Sequence, residues 1–336
     1  MGIEMTPGEI QMLETGTPAL REDIVSTVHS VLNYDYHGLR SDLLALYEKA
    51  KQNQWNASTD IYWSKSVDVE KGILQYERIA IFGTPLWEKL DEKTRAKLNY
   101  FESCWGLSQF LHGEQGALLT CGQLVDSVPD IEAKLYASTQ VVDEGRHVEV
   151  FHRYLNEKLR KEYPIDPDLH HVLQMILSNE AWQVKVLGMQ LMVESLAMAA
   201  FSTIHVAAVD PLIRDIVKRV RVDEARHVAF GVLSLKHDVK DMAEGFKRDL
   251  EDLAYQACVL MHDGFFARPV YEELGFTDID GLRESVLRSP IRKVFRKELF
   301  STLIPNLKQV DLLPARLRSD YAALGVLEYE HLPASA

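Results

Sequence analysis

Two stretches of this chain say nearly the same thing, VDEGRHVEVF at 142–151 and VDEARHVAFG at 222–231. Each holds a Glu and a His three positions apart, Glu144/His147 and Glu224/His227. On an α-helix that spacing puts both side chains on one face, so a carboxylate oxygen and an imidazole nitrogen can reach one metal ion. A single such pair is more often a solvated charge pair. Two further acids change the balance. Glu114 sits among Leu107, Phe110, Leu111, Ala117, Leu118 and Cys121, and Glu194 among Leu187, Leu191, Ala197, Met198 and Phe201. A free carboxylate in such an apolar stripe is heavily penalised unless it is paired or metal-bound.

The spacings then repeat. Positions 114, 144 and 147 recur at 194, 224 and 227, offset by eighty each time. Two helix pairs related by an approximate two-fold would bring four Glu and two His to the centre of a bundle, the inventory of a two-metal carboxylate site. Two divalent ions would balance the four carboxylates, and oxygen with imidazole donors suits iron or manganese. A metal-bound His normally donates its other ring N–H to an acceptor that fixes its orientation. Asp143 and Asp223, each next to a ligand Glu, can do this across the two-fold, Asp143 for His227 and Asp223 for His147. Arg146 and Arg226 can neutralise these acids. His29, His37, His112, His170, His171, His205 and His262 have no such partners and read as structural or exposed.

The elements that must position these residues read as helices. Breakers leave helical segments at about 18–50, 69–83, 91–125, 130–162, 168–208, 211–240, 240–263 and 281–308, with no strand-like alternation. Asp130, Asp168 and Asp210 stand as caps at the starts of the second, third and fourth bundle helices, with Pro211 in a first turn. The stretch 51–68 reads as a loop whose Trp55 and Trp63 cover something. No linker divides the chain, so 1–336 is expected to form one all-α domain. Its core at about 91–240 is a four-helix bundle, and 1–90 and 241–336 add helices around it. The run 186–209 is long and apolar enough to cross a membrane, but its lone charge, Glu194, fits a fully buried bundle helix better.

Composition narrows the function. The 336 residues are 46% hydrophobic and 26% charged, as in an ordinary globular protein, and the net charge is −13. That balance gives no reason to bind nucleic acid or an anionic membrane. Three scattered cysteines suit a reducing compartment, and with no secretory signal the expectation is a cytoplasmic protein. Gly2 and Thr6 match a loose myristoylation pattern that is common by chance.

The E…DExRH…E…DExRH pattern over about 95–240 resembles the ferritin-like non-haem di-iron oxidase and oxygenase superfamily. Its members include multicomponent monooxygenase hydroxylases, the ribonucleotide reductase small subunit, acyl-carrier desaturases, ligand-binding oxidases and the p-aminobenzoate N-oxygenase group. The resemblance implies a ferritin-like bundle with additional terminal helices. It also implies two Fe ions, with an Mn/Fe pair as the variant, O2 as co-substrate, and Glu114, Glu144, His147, Glu194, Glu224 and His227 as ligands. The radical-forming subunit usually has a Tyr where this chain has Phe151, and the N-oxygenase pattern adds a third His where this chain has Val220. The expected activity is oxygenation of a small apolar or aromatic substrate in a pocket lined by Phe110, Leu118, Phe151, Leu191, Met198 and Phe201. Electrons would come from a ferredoxin or flavoprotein reductase, because the chain has no GxGxxG nucleotide signature. A homodimer is compatible with this reading. A radical-generating subunit, a ligand-binding oxidase and a ferritin-type iron store are the rivals.

Overall fold

The computed structural model describes residues 21–335. Gly2 and Thr6 lie outside them, as does the start of the first expected helix. Among the described residues the only β-type pairing is an isolated bridge between Leu74 and Ala208. The architecture is all-α, a ferritin-like four-helix bundle with further helices packed on it.

The bundle helices are α3 (Glu92–Ser127), α4 (Ile131–Arg153), α6 (Trp182–Ala207) and α7 (Pro211–Asp238). Local chemistry sets their ends. Asp91 accepts the Thr94 N–H to start α3. Asp210 accepts the Leu212 and Ile213 N–H groups, and Pro211 occupies the first turn of α7, where its missing donor is harmless. Two stretches are wider than α. The chain continues from α4 as π-helix through Tyr154–Leu159, and the middle of α6, Val186–Val193, is π-helical up to the residue before Glu194. Such bulges cluster at functional sites because they re-aim the side chains beside them. Gly231 of α7 allows the close approach of this segment, since a Cβ there would lie 2.3 Å from Leu191 Cδ1.

Around the bundle lie α1 (Ser41–Gln52), α2 (Pro85–Lys89), α5 (Pro167–Ser178), α8 (Glu244–Asp263), α9 (Arg268–Glu273), α10 (Ile279–Leu287), α11 (Pro290–Gln309) and α12 (Arg318–Ala323). One apolar cluster, including Tyr136, Leu191, Phe230, Leu299 and Phe300, joins the bundle to α8 and α11. A second, including Ile81, Leu98, Phe151, Phe201 and Val220, joins it to the N-terminal loops. The long apolar α6 reaches the length and hydropathy of a membrane span, and 78% of its most apolar window is buried inside the fold.

Four expected segments differ. Residues 21–40 form no helix, because Asn33 and Asp35 side chains accept the Asp35 and His37 N–H groups and Gly38 is left-handed. The segment 69–83 holds only the 3-10 turns Val69–Lys71 and Tyr76–Arg78, interrupted by left-handed Gly72 and Gly83. The segment 168–208 splits at Asn179, whose side chain accepts the Ala181 N–H. Asp166, rather than Asp168, caps the first half. The segment 281–308 breaks at the Ser289 cap and Pro290. Asp130 makes no side-chain cap bond and instead pairs with Arg40 at 3.0 Å.

Glu102 of α3 ties two outer layers to the bundle, accepting the Ala80 N–H at 3.0 Å and the Tyr271 hydroxyl. Burial pushes its carboxyl from 4.5 up to about 7. The folded state therefore holds more protons than the unfolded chain between those values. The contribution of Glu102 to stability is full below pH 4.5 and is lost as pH rises through 7. Glu102→Gln should flatten this part of the stability–pH curve by roughly one to a few kcal/mol, since each tenfold change in proton affinity is worth about 1.4 kcal/mol. Urea titrations at pH 5.5 and 8 measure it, and equal slopes for both proteins would contradict it.

Candidate metal centre

α3, α4, α6 and α7 each turn one carboxylate inward, and α4 and α7 each add a histidine one turn later. Glu114, Glu144, His147, Glu194, Glu224 and His227 are all buried. Donor atoms of Glu114, Glu144, His147 and Glu224 lie within 4.8 Å of one another, and so do those of Glu144, Glu194 and His227. His147 Nδ1 is 3.2 Å from Glu114, 3.3 Å from Glu144 and 3.1 Å from Glu224. His227 Nδ1 is 2.9 Å from Glu224, 3.2 Å from Glu144 and 3.8 Å from Glu194. Both imidazoles therefore face the acids through Nδ1, and Glu144 and Glu224 stand between them.

The far ring nitrogens face the other pair of acids. His147 Nε2 lies 3.2 Å from Asp223, and His227 Nε2 lies 3.4 Å from Asp143, each across the pseudo-two-fold. Arg146 bonds Asp143 and reaches Asp223 at 3.3 Å. Arg226 bonds Asp223 and reaches Asp143 at 3.1 Å. The two acids and two guanidiniums form a closed, charge-balanced square under the histidines. Gln54 donates to Asp143 at 3.0 Å and accepts from Arg146 at 2.6 Å, and the Trp55 indole N–H donates to Asp223 at 2.7 Å. Trp55 thus covers this square, whereas Trp63 lies under Arg153, 4.1 Å from ring centroid to guanidinium.

The buried acids divide into two that favour the protonated form and three that favour the charged one. Burial and the Glu224 charge raise the Glu114 and Glu194 carboxyls well above their usual range. Burial opposes charge on Glu224, but His227, Glu194 and His147 together outweigh it and hold this carboxyl well below its usual range. Burial opposes charge on the imidazoles, yet the facing acids raise His147 and push His227 up to about 10. For Asp143 and Asp223 the partner histidines and the arginines outweigh burial and lower both. One oxygen each of Glu144, Glu194 and Glu224 is sealed from solvent without a hydrogen-bond donor. Sealed carboxylate oxygens facing two imidazoles are the donor set of a hard cation pair, and these residues fit two divalent first-row ions.

A cavity of about 230 Å³ opens on Glu114 and Glu194. Of the six residues expected to line a pocket only Phe110 does so. Phe151 and Phe201 stack on each other and pack behind Phe110, 5.8 and 4.6 Å from its ring. Leu191 packs toward Gly231, because the π turn shifts residues upstream of Glu194 off the α-helical face. Leu118 and Met198 lie one position beyond the residues on the cavity face, Ala117 and Ala197. Gln54, Gln140, Phe265, Arg292 and Phe295 carry no sequence signal strong enough to mark them beforehand, with one exception. Gln140, one turn before Glu144, donates to it at 2.9 Å, and helical spacing could have found it. Of the other histidines, His112 bonds the Tyr163 carbonyl, His205 the Arg214 carbonyl and His170 the Glu22 carboxylate.

The Glu144→Ala, Glu224→Ala double variant should keep its helical circular dichroism and lose both ions by elemental analysis. Full metal content would contradict the assignment. Asp143→Asn and Asp223→Asn should each weaken metal affinity by roughly ten- to a hundred-fold, as losses behind a ligand do. Affinity unchanged in both would leave these acids without a role at the centre.

The chain matches the family described as p-aminobenzoate N-oxygenase AurF over residues 40–311. No curated protein matches it. Among solved structures, a mutant R2-like ligand-binding oxidase with an aerobically reconstituted Mn/Fe cofactor is 18% identical at a TM-score of 0.45, covering 80% of this chain and 98% of its own. The R2-like ligand-binding oxidase after photoconversion is 16% identical at 0.46, covering 78% and 94%. The family match contains all four bundle helices, both copies of the repeated phrase and all six buried Glu and His residues of the centre. On that match the chain is a di-metal oxidoreductase and belongs to the p-aminobenzoate N-oxygenase AurF family.

Proposed function

We propose that the chain is a di-iron monooxygenase that N-oxygenates a small aromatic amine, with an Mn/Fe pair as the variant centre. The observation that carries this reading is the cavity, which is lined by Glu114 and Glu194 and otherwise by mostly apolar side chains, with Gln109 and Arg292 the polar exceptions. A dry cavity of about 150 Å³ can hold benzene, so about 230 Å³ suits a single ring with small substituents. Glu114, Glu144, His147, Glu194, Glu224 and His227 would hold the ions, which when bound supply O2 activation. Trp105, Phe110, Leu196 and Phe265 would surround the ring and keep water from it. The overall change is arylamine plus O2, two electrons and two protons to arylhydroxylamine plus water. The electrons require an external donor such as a ferredoxin or flavoprotein reductase. Three buried free thiols, Cys104, Cys121 and Cys258, support placing the protein in the reducing cytoplasm.

Val220 takes the place of the third histidine of the N-oxygenase pattern and is fully buried in an apolar cluster, so the proposed centre has six protein ligands. Phe151, fully buried against Phe201, leaves no oxidisable ring at the position a radical-forming subunit uses. Supplied with ferrous iron, a chemical reductant, ¹⁸O2 and a panel of anilines, the protein should give arylhydroxylamine carrying one labelled oxygen. Unlabelled product, or a persistent tyrosyl radical by electron paramagnetic resonance with no product, would contradict the reading.

A further inference from the structure

The repeat after eighty residues extends beyond the ligands, and there its two halves differ. Cys121, Tyr136, Gln140 and Gln190 correspond to Phe201, Ile216, Val220 and Phe110. The second set is apolar and lies toward the cavity, where Phe110 is in the wall and Phe201 packs 4.6 Å from it. Ile216 and Val220 are fully buried in the same apolar cluster. The first set is just as buried but polar. Gln140 Nε2 donates to Glu144 at 2.9 Å, and Gln190 Nε2 donates to Cys121 Sγ at 3.7 Å. Gln140 Oε1, Gln190 Oε1 and the Tyr136 hydroxyl have no partner among the described residues.

These groups follow the seam between α4 and α7 from the centre to the end of the bundle. Gln140 is one turn from Glu144 on α4. Gln190 packs on Gly231, one turn beyond His227, where a Cβ would lie 2.8 Å from its own. Tyr136 is the next turn out, its ring 4.7 Å from that of Phe230. One turn further, Ala133 of α4 and Ser234 of α7 line a second cavity of about 230 Å³. Ser234 is only 4% exposed, and its hydroxyl also lacks a partner among the described residues. Asp130, His237, Asp238 and Asp241 line the same cavity, with Asp130 held by Arg40 at 3.0 Å. Burial raises the Asp238 carboxyl above its usual range, against the Gln183 bond and the His237 charge. Burial also raises the Tyr136 hydroxyl well above its own, so it keeps its proton at neutral pH. A row of buried polar groups is costly unless each finds a hydrogen bond, and ordered water is the usual partner where protein supplies none.

We propose that Ser234, Tyr136, Gln140 and Gln190 hold a row of ordered water that delivers protons from the acidic end cavity to the metal centre, on the side away from the substrate. This rests on the reading of the centre as one that reduces O2, a reaction that consumes protons. The substrate side is walled by Trp105, Phe110, Leu196 and Phe265 and offers no polar route of this kind. Asp238 and His237 collect protons at the mouth. Each hydroxyl or water then accepts a proton on a lone pair and passes on another, so Ser234 and Tyr136 end unchanged. The amide oxygens only accept, which makes Gln140 and Gln190 positioning residues that fix the waters. The apolar half of the repeat shows what these positions become where no proton has to pass.

A high-resolution crystal structure of the metal-loaded protein should show waters bonded to Gln140 Oε1, Tyr136 Oη and Ser234 Oγ in one continuous row. A dry or interrupted seam would overturn the proposal. The reduced, metal-loaded protein is also mixed with O2 in weak buffer, and proton uptake is followed with a pH-indicator dye. Tyr136→Phe and Ser234→Ala should each take up protons about a hundred-fold more slowly than the wild type, the low end for a positioned proton carrier. Their solvent deuterium isotope effect should rise while metal content stays unchanged, which a merely structural role would not produce. Uptake at the wild-type rate in both variants would overturn the route, and labelled hydroxylamine formed alongside it would leave the oxygenase reading standing. The dye measurement needs no amine, so slowed uptake in the variants with no hydroxylamine from the wild type would uphold the route and sink the N-oxygenase reading instead. If the variants do not fold, the water row in the wild type decides alone.

Discussion

Four glutamates buried at the centre of a helical bundle repel one another and have given up water, and the rest of the structure is arranged around that cost. Among the described residues two imidazoles are the only cationic partners in direct reach, each held by an aspartate that is itself held by two arginines. This outer square is what lets the inner one exist. Without the crossed Asp–Arg pairs, Asp143 and Asp223 would be two more unpaired buried anions, and the histidines would lose the contacts that turn Nδ1 toward the glutamates. Because α4 contributes Asp143 to His227 and α7 contributes Asp223 to His147, neither helix can shift along its axis without breaking the other's site. The centre and the bundle register are one constraint.

That constraint is periodic, and so it was legible. Glu and His three apart, the preceding Asp, the following Arg and the repeat after eighty residues all translate directly into helix faces. Three of the four long helices follow from their breakers, whereas the third expected segment is split where Asn179 accepts the Ala181 N–H, so that its bundle helix starts at Trp182. Contacts outside this rule left little trace. Gln54 and Trp55 reach the aspartates from the end of α1 and the loop beyond it, and no spacing within 41–60 encodes a partner at 143 or 223. Residues 21–40 contain apolar positions that could suit a helix, but Asn33, Asp35 and Gly38 offer the backbone other bonds and conformations.

The cavity shows a subtler failure. Projecting Glu114 and Glu194 onto ideal helices suggests Leu118 and Met198 as neighbours, one turn on. The real face is rotated by one residue, to Ala117 and Ala197. In α6 the π-helical run before Glu194 offsets the count, so Leu191 faces the core instead. The far wall comes from Phe265, Arg292 and Phe295, more than sixty residues beyond Glu194, and only the packing of the C-terminal helices brings them there. Small residues at the metal end and aromatic ones at the far end give a chamber shaped by both layers. The family match covers the helices of both walls, whereas only the first wall carries the repeated Glu and His pattern.

Glu114, Glu144, His147, Glu194, Glu224 and His227 would together hold two metal ions in one centre within the bundle. Crystals of the metal-loaded protein, with diffraction recorded on either side of the iron and manganese absorption edges, test this most directly. The account predicts two anomalous peaks about 3.5–4 Å apart, both bounded by Glu144 and Glu224, with Glu114 and His147 on one side and Glu194 and His227 on the other. A single peak, or ions found away from these six residues, would contradict it.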